Sequence, residues 1–234
     1  MFNSQLDKET LNTQFAENKL LVIEKFLEPE FAQRAFDYLN NKPDSEWYLA
    51  FCPVLRGTRK SLNLLNNKQN RPSLSKLNEL VKEQYELGEF SFKFKRSVYE
   101  AKLPLHGPER ELVDLFKSES LLRLIKTVTN KDLSGTDSLF TSCYETGDFL
   151  AKHDDGDNGE IGFIYYLCPD WNTEWGGHLK FTQKKNGETY ANFAPGYNQL
   201  LLFAIRDLKN LNHEVTPISE GAKAKRIAFS GWFG

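Results

Sequence analysis

The 234-residue sequence is sparing with the residues that cross-link or ligate: it holds 3 cysteines, 1 methionine and 4 histidines. Cys52, Cys143 and Cys168 are odd in number, far apart and in no C-x-x-C pair. That argues against a disulfide framework and against a thiolate zinc site. They are expected to be reduced core thiols of a cytoplasmic protein. Long apolar runs are missing too: LLLFAI at 200–205 is the longest, far too short to span a bilayer. The opening MFNSQLDKET lacks the basic-then-apolar pattern of an export signal. No membrane partner is expected. Nor is there an excess of one charge, since 30 Lys and Arg face 32 Asp and Glu for a net charge of -2. A dedicated phosphate-neutralising surface would need a basic surplus, so no direct nucleic-acid partner is expected. Internal repeats, low-complexity stretches and flexible linkers are absent, which leaves one globular unit.

What is present is a chain 40% hydrophobic, long enough to bury a sizeable core. Its first part mixes helices and strands. In FLEPEFAQRAFDYLNNK, Pro29 marks a helix start and Phe31, Ala35, Phe36 and Leu39 fall at helical spacing. SLSKLNELVKEQYELG repeats the pattern and stops at Gly88, and PERELVDLFKSESLLRLIKTV forms a third helical zone. EWYLAF and FSFKFK read as extended, the latter with Phe90, Phe92 and Phe94 in strict alternation. CPVLRGTRKSLN, with Arg56, Arg59 and Lys60 around Gly57, reads as a loop that either faces substrate or is simply solvated.

From residue 138 the pattern changes. LFTSCY, FLAKHD, EIGFIYYLC, GHLKF, TYANFA, NQLLLFAI, NHEVTPI and KRIAFSGWF are eight candidate strands with turn residues between them. Eight short antiparallel strands suggest a double-stranded β-helix, the jelly roll, whose open mouth is a common ligand site. The expected class is therefore mainly β with an α+β elaboration: residues 1–137 elaborate the unit and residues 138–234 form the jelly-roll core.

The chemistry-bearing residues sit at strand ends. Side chains two apart on a strand share a face, so His153 and Asp155 of KHDDGD can point inward together while Asp154 points away. His213 in NHEV is the natural third ligand. Two imidazoles and one carboxylate on one face of an octahedral ion leave positions open, as in non-haem Fe(II) oxygenases, although zinc accepts the same ligands. His178, after the double glycine, is set aside because a fourth ligand would close an open site, and His106 reads as a solvated loop residue.

In KRIAFSGWF, Arg226, Ala228, Ser230 and Trp232 share one face, and Ile227, Phe229 and Phe233 the other. An inward Arg226 beside small Ala228 and Ser230 makes a cavity with a cationic floor, suited to gripping a carboxylate bidentately. Lys225 falls on the opposite face and Lys223 precedes the strand. Tyr166 offers a phenolic donor to the same carboxylate, and Tyr144 can reach the cavity from the strand before the HxD pair. A metal triad plus an inward arginine describes a keto acid that chelates metal at one end and ends on the guanidinium at the other: 2-oxoglutarate.

The order YETGDFLAKHDD, IGFIYYLCPDWNTEWGGHLKF, PGYNQLLLF, NHEV and KRIAFSGWF resembles the prolyl-hydroxylase branch of the Fe(II)/2-oxoglutarate dioxygenases, over residues 138–233. Within it the sequence is most similar to the ribosomal and oxygen-sensing prolyl hydroxylases. The resemblance implies iron on His153, Asp155 and His213, the distal carboxylate of 2-oxoglutarate on Arg226 and Tyr166, and Tyr144 lining the cosubstrate pocket. It implies Leu179 against the cosubstrate, after the W-x(4)-GG turn from Trp171 to Gly177. It also implies O2 as oxidant, succinate and CO2 as products, ascorbate as a supporting reductant, and a proline of an intracellular protein, with the translation machinery foremost, as substrate. Two features depart from the ribosomal type: Gly159 and Glu160 stand where relatives often carry a basic pair, and no second, degenerate barrel follows. Two other readings stay open, a hydroxylase of a free amino acid or other small molecule, and a jelly-roll module that senses a ligand without turnover. An intact triad together with Arg226 speaks against the second, because a pure binding module needs no such pair.

Overall fold

The computed structural model describes residues 1–98 and 103–234. In chain order the elements are α1 (Lys8–Asn18), β1 (Leu20–Ile23), α2 (Pro29–Asn40), β2 (Tyr48–Phe51), β3 (Val54–Leu55), β4 (Thr58–Arg59), β5 (Leu62–Leu65), α3 (Arg71–Glu86), β6 (Phe92–Val98), α4 (Gly107–Phe116) and α5 (Glu119–Thr129). The second part is strands apart from a 3-10 turn at Thr173–Trp175: β7 (Thr136–Tyr144), β8 (Phe149–His153), β9 (Ile161–Leu167), β10 (Leu179–Gln183), β11 (Thr189–Phe193), β12 (Tyr197–Ala204), β13 (Leu211–Val215) and β14 (Arg226–Phe233). All eight strands expected after residue 138 form. The jelly-roll expectation is met by a mostly antiparallel sheet curled into a half-barrel, with helices on its outside.

The sheet runs β1-β12-β9-β14-β7-β6-β8-β13-β10-β11. Period-two burial sorts most of its side chains into two large cores, with a smaller cluster of Phe51 and Phe149 against Val81 of α3. The outer face packs on the helices through Phe163, Tyr165, Ile227, Phe229 and Phe233, with Phe116 of α4 at the hub, 4.5 Å from Phe163 and 5.1 Å from Phe229 between ring centroids. Each such fully buried ring contributes about 1.5–3 kcal/mol. The inner face carries Tyr144, Tyr166, Leu179, Phe181, Leu201 and Ala228. The outer core thus holds the sheet in its curl, and the inner one walls the site.

Several local features differ from the expectation. The third helical zone is two helices, because the Ser118 hydroxyl accepts the Leu121 N–H at 3.2 Å and caps a new start there. Helix α1 was not legible because its polar sequence buries Phe15 alone. It is held instead by the Asp7 cap on Thr10 and by Lys19 at φ 58°. The loop expected around Gly57 is a short hairpin, β3 paired with β4. Strand β6, from the first part of the chain, enters the sheet between β7 and β8.

Candidate active site

β8 and β13 are neighbours, and His213 lies opposite His153 across their ladder with ring centroids 4.2 Å apart. Asp155 stands two residues beyond His153 in the turn that leaves β8. Its Oδ1 lies 3.8 Å from Nε2 of His153, and its Oδ2 lies 3.7 Å from Nε2 of His213. The three ligand atoms fall within 4.8 Å of one another. The Asp155 side chain is 6% exposed, and its Oδ2 is buried with no hydrogen-bond partner. An orphaned carboxylate oxygen in a buried place is costly. Here it converges with two imidazole nitrogens at separations too long for hydrogen bonds, an arrangement that fits a divalent cation held among the three.

The second partners agree. Nδ1 of His153 lies 3.0 Å from the Ala151 carbonyl, which can only accept, so Nδ1 carries the proton and Nε2 keeps its lone pair for a metal. Burial, and then the neighbouring His153, hold the pKa of His213 well below the usual imidazole value, which keeps it neutral and able to ligate. Burial raises the pKa of Asp155, while His153 and the Trp232 side chain pull it back. Asp154, in the turn after β8, faces outward to an ion pair with Lys184 and accepts from the Gly156 N–H at 3.2 Å. His178 spends both ring nitrogens elsewhere, on the Thr173 carbonyl and on Asn192, each at 2.9 Å. His106 is exposed at the start of α4.

Arg226 opens β14 opposite Tyr144 of β7 and is 2% exposed. Its Nε donates to the Gly177 carbonyl at 2.7 Å, and its guanidinium carbon lies 4.8 Å from the ring centre of Tyr144 and 5.1 Å from that of Tyr166. Nη2 donates to the Tyr166 hydroxyl at 3.4 Å. No carboxylate among the described residues forms an ion pair with it. The double-glycine turn makes this placement possible. Gly176 has φ +72°, and a Cβ there would stand 2.1 Å from the Pro217 carbonyl oxygen. A Cβ on Gly177 would stand 2.5 Å from Ile218 and 3.0 Å from Cδ of Arg226.

One cavity of about 520 Å³ joins both ends of this site. His153, Asp155, His213, Arg226, Tyr144, Leu179 and Ser230 all line it. Tyr166 does not: it is fully buried and touches the guanidinium from behind. Residues that the site reading missed also line it: Phe90, Phe92, Phe94, Arg96, Phe140 and Trp232. The alternation in FSFKFKR could have found the first four, since phenylalanines at period two followed by arginine place all of them on one face. Glu160 lies outside, paired with Arg206 at 3.0 Å.

The curled sheet thus carries a His-Asp-His cluster in its mouth, and residues 139–234 match the 2OG-Fe(II) oxygenase superfamily. The match covers the strands from β7 to β14, the part of the chain that carries His153, Asp155, His213 and Arg226. It is similar to prolyl 3-hydroxylase OGFOD1 of Xenopus laevis, 29% identical over 120 residues, or 49% of this chain and 23% of that protein. With the Mus musculus protein of the same name the identity is 30% over 116 residues, 47% of this chain and 20% of the relative. The chain thus spans under a quarter of the length of these curated relatives. Among solved structures, a Trichoplax adhaerens prolyl hydroxylase in complex with a hypoxia inducible factor peptide superposes with a TM-score of 0.62 at 20% identity, covering 97% of this chain and 88% of that one. A Pseudomonas putida prolyl-4-hydroxylase gives 0.61 at 15% identity, covering 97% of both chains. At those identities the likeness is one of fold.

Proposed function

We propose that this protein is an Fe(II)- and 2-oxoglutarate-dependent hydroxylase of a prolyl residue in an intracellular protein. The observation that carries the reading is a buried, acid-free Arg226 sharing one cavity with an orphaned Asp155 oxygen and two imidazoles. When bound, iron and 2-oxoglutarate supply the oxidising chemistry, in which 2-oxoglutarate and O2 become succinate, CO2 and the hydroxyl oxygen of the product.

The residues of the chain do the rest. His153, Asp155 and His213 would hold the iron, their ligand atoms lying within 4.8 Å of one another. Arg226 takes the distal carboxylate, Tyr144 caps the guanidinium with its ring, and Tyr166 holds it from behind, so that Tyr166 acts through Arg226. Leu179 lines the cavity and excludes water from it, and the small Ser230 leaves room in the cavity wall on the side of Trp232. Residues 138–234 carry this chemistry, and residues 1–137 elaborate the same unit by adding β6 to the cavity wall. A proline suits such a cavity, because its fixed φ and missing N–H lower the ordering cost of binding. The names of the curated relatives favour prolyl substrates. The reading extends to a cytoplasmic target, first sought in the translation machinery, with ascorbate maintaining activity.

The test has two parts. Anaerobic Fe(II) with 2-oxoglutarate gives the visible charge-transfer band of a chelated keto acid, and His153→Ala, Asp155→Ala and His213→Ala each abolish it with the fold retained. Extract from cells lacking the protein, incubated with enzyme, iron, ascorbate and 2-oxoglutarate, gains hydroxyproline in tryptic peptides. Tight zinc binding without the band refutes the oxygenase reading. Succinate formation driven by a free metabolite, with no protein proline oxidised, refutes the prolyl one.

A further inference from the structure

The cavity holds a second guanidinium that the proposed chemistry leaves unused. Arg96 continues the alternation of Phe90, Phe92 and Phe94, and its odd-numbered neighbours turn to the other side. The Ser97 hydroxyl hydrogen-bonds the buried Glu109 of α4, and Lys95 pairs with Asp44 and Glu145 at 2.7 Å each. Strand parity therefore delivers Arg96 into the cavity, which it lines. Its guanidinium carbon lies 5.0 Å from the ring centre of Phe140, and Phe140 lies 6.1 Å from Trp232. Nε of Arg96 is buried with no hydrogen-bond partner, and no carboxylate among the described residues forms an ion pair with the side chain. A half-buried guanidinium whose Nε is buried without a partner carries a cost that an incoming anion relieves.

Register separates this fork from the first. Arg96 lies opposite Ser142 on β7, whereas Arg226 lies opposite Tyr144. The two arginines are thus roughly 7 Å apart along the strands and about 10 Å across them at the backbone. A ligand whose distal carboxylate rests on Arg226 leaves Arg96 free. The row Arg96, Phe140, Trp232 leads back to the metal end, since the Trp232 side chain interacts with Asp155. At the rim, exposed Arg59 of β4 lies 4.8 Å from the ring centre of Phe90, whose ring is 5.4 Å from His153, and adds a second positive charge at the entrance.

We infer that Arg96 is a specificity-determining residue that binds a carboxylate of the molecule to be hydroxylated, so the enzyme selects an acidic substrate. This rests on the oxygenase reading for the identity of the reaction, not for the existence of the anion site. The carboxylate can come from an aspartate or glutamate beside the target proline, or from the α-carboxylate of a free amino acid. Both present the planar, bidentate acceptor that a guanidinium matches.

The test reads binding by calorimetry on the full chain loaded with Mn(II), with and without 2-oxoglutarate, so that turnover does not intervene. The probes are short capped peptides around one proline carrying aspartate or asparagine at each flanking position, and L-proline against L-prolinamide. Wild-type protein is expected to bind a carboxylate probe about ten- to a hundredfold tighter than its amide twin. Arg96→Gln erases that preference, Arg96→Lys restores part of it, and the affinity for 2-oxoglutarate stays at the wild-type value in both. Preference confined to the peptides assigns the flanking acid, and preference confined to L-proline assigns the α-carboxylate. No preference in the wild type, or a loss of 2-oxoglutarate binding in Arg96→Gln to match that of Arg226→Ala, overturns the inference. Failure of 2-oxoglutarate to bind wild-type protein overturns the oxygenase reading instead, and the probes measured without it still decide the role of Arg96.

Discussion

Replacing Arg226 by alanine isolates the cationic end of the cavity. In the wild type its Nε is committed to the Gly177 carbonyl at 2.7 Å, and Nη2 makes only a long 3.4 Å contact to Tyr166, so the guanidinium retains donors for a ligand. In Arg226→Ala a carboxylate entering the pocket is desolvated without a partner, at a cost of about 3–5 kcal/mol. Because one donor is already spent on the backbone, the lower part of that range applies, about 3–4 kcal/mol, and at 1.4 kcal/mol per decade the affinity for 2-oxoglutarate falls by roughly two to three orders of magnitude. Lys225→Ala is the control: its ammonium donates to the Asn40 carbonyl at 2.8 Å on the outer face. The assay is titration of Mn(II)-loaded protein with 2-oxoglutarate and with pyruvate, which lacks the distal carboxylate. Wild type discriminates strongly between them, and Arg226→Ala does not. Equal losses from Arg226→Ala and Lys225→Ala, or retained discrimination in Arg226→Ala, would refute the argument. A second readout follows from the same burial: Arg226→Met removes an unpaired buried charge and raises the stability of the ligand-free protein by about 1–2 kcal/mol, seen as a higher melting temperature that added 2-oxoglutarate no longer lifts.

Gly176→Ala forces a side chain onto a φ of +72° and against the Pro217 carbonyl; urea unfolding should show a loss of about 3 kcal/mol or more, and a wild-type midpoint would mean that the turn can shift. Glu109→Ala leaves Lys42, whose side chain is 3% exposed, buried without its partner, so stability falls by about 3–5 kcal/mol, whereas the double change Lys42→Met with Glu109→Leu recovers most of it. The thiols should be silent toward Ellman's reagent at pH 8 in the folded protein, because burial pushes Cys168 up to about 11, Cys143 still higher and Cys52 upward. Denaturant then releases all three cysteines. A fast native reaction would contradict the packing of β9 and β14 around Cys168.

Much of the site was written locally. Which face of a strand a side chain takes depends on the pleat alone, so KRIAFSGWF separates Arg226 from the residues on either side of it without knowledge of any neighbour, whereas Asp154 and Asp155 lie in the turn after β8 and take their directions from it. The eight strands after residue 138 announce themselves for the same reason, through alternation and the turn residues between them. Which elements meet is a different matter, because pairing and packing join segments distant in sequence and leave no periodic trace. That β6 enters the sheet between β7 and β8 was decided by tertiary structure, and only then does Arg96 become part of the cavity. The helical zone split at Ser118 because a local cap outcompeted a continuous apolar stripe. The sequence offers Tyr166 as a donor to the carboxylate, yet its place against the guanidinium, outside the cavity lining, depends on how β9 packs beside β14. Local sequence thus determined the chemistry on offer and the direction in which each group points, while the long-range strand order alone decided which groups share one space.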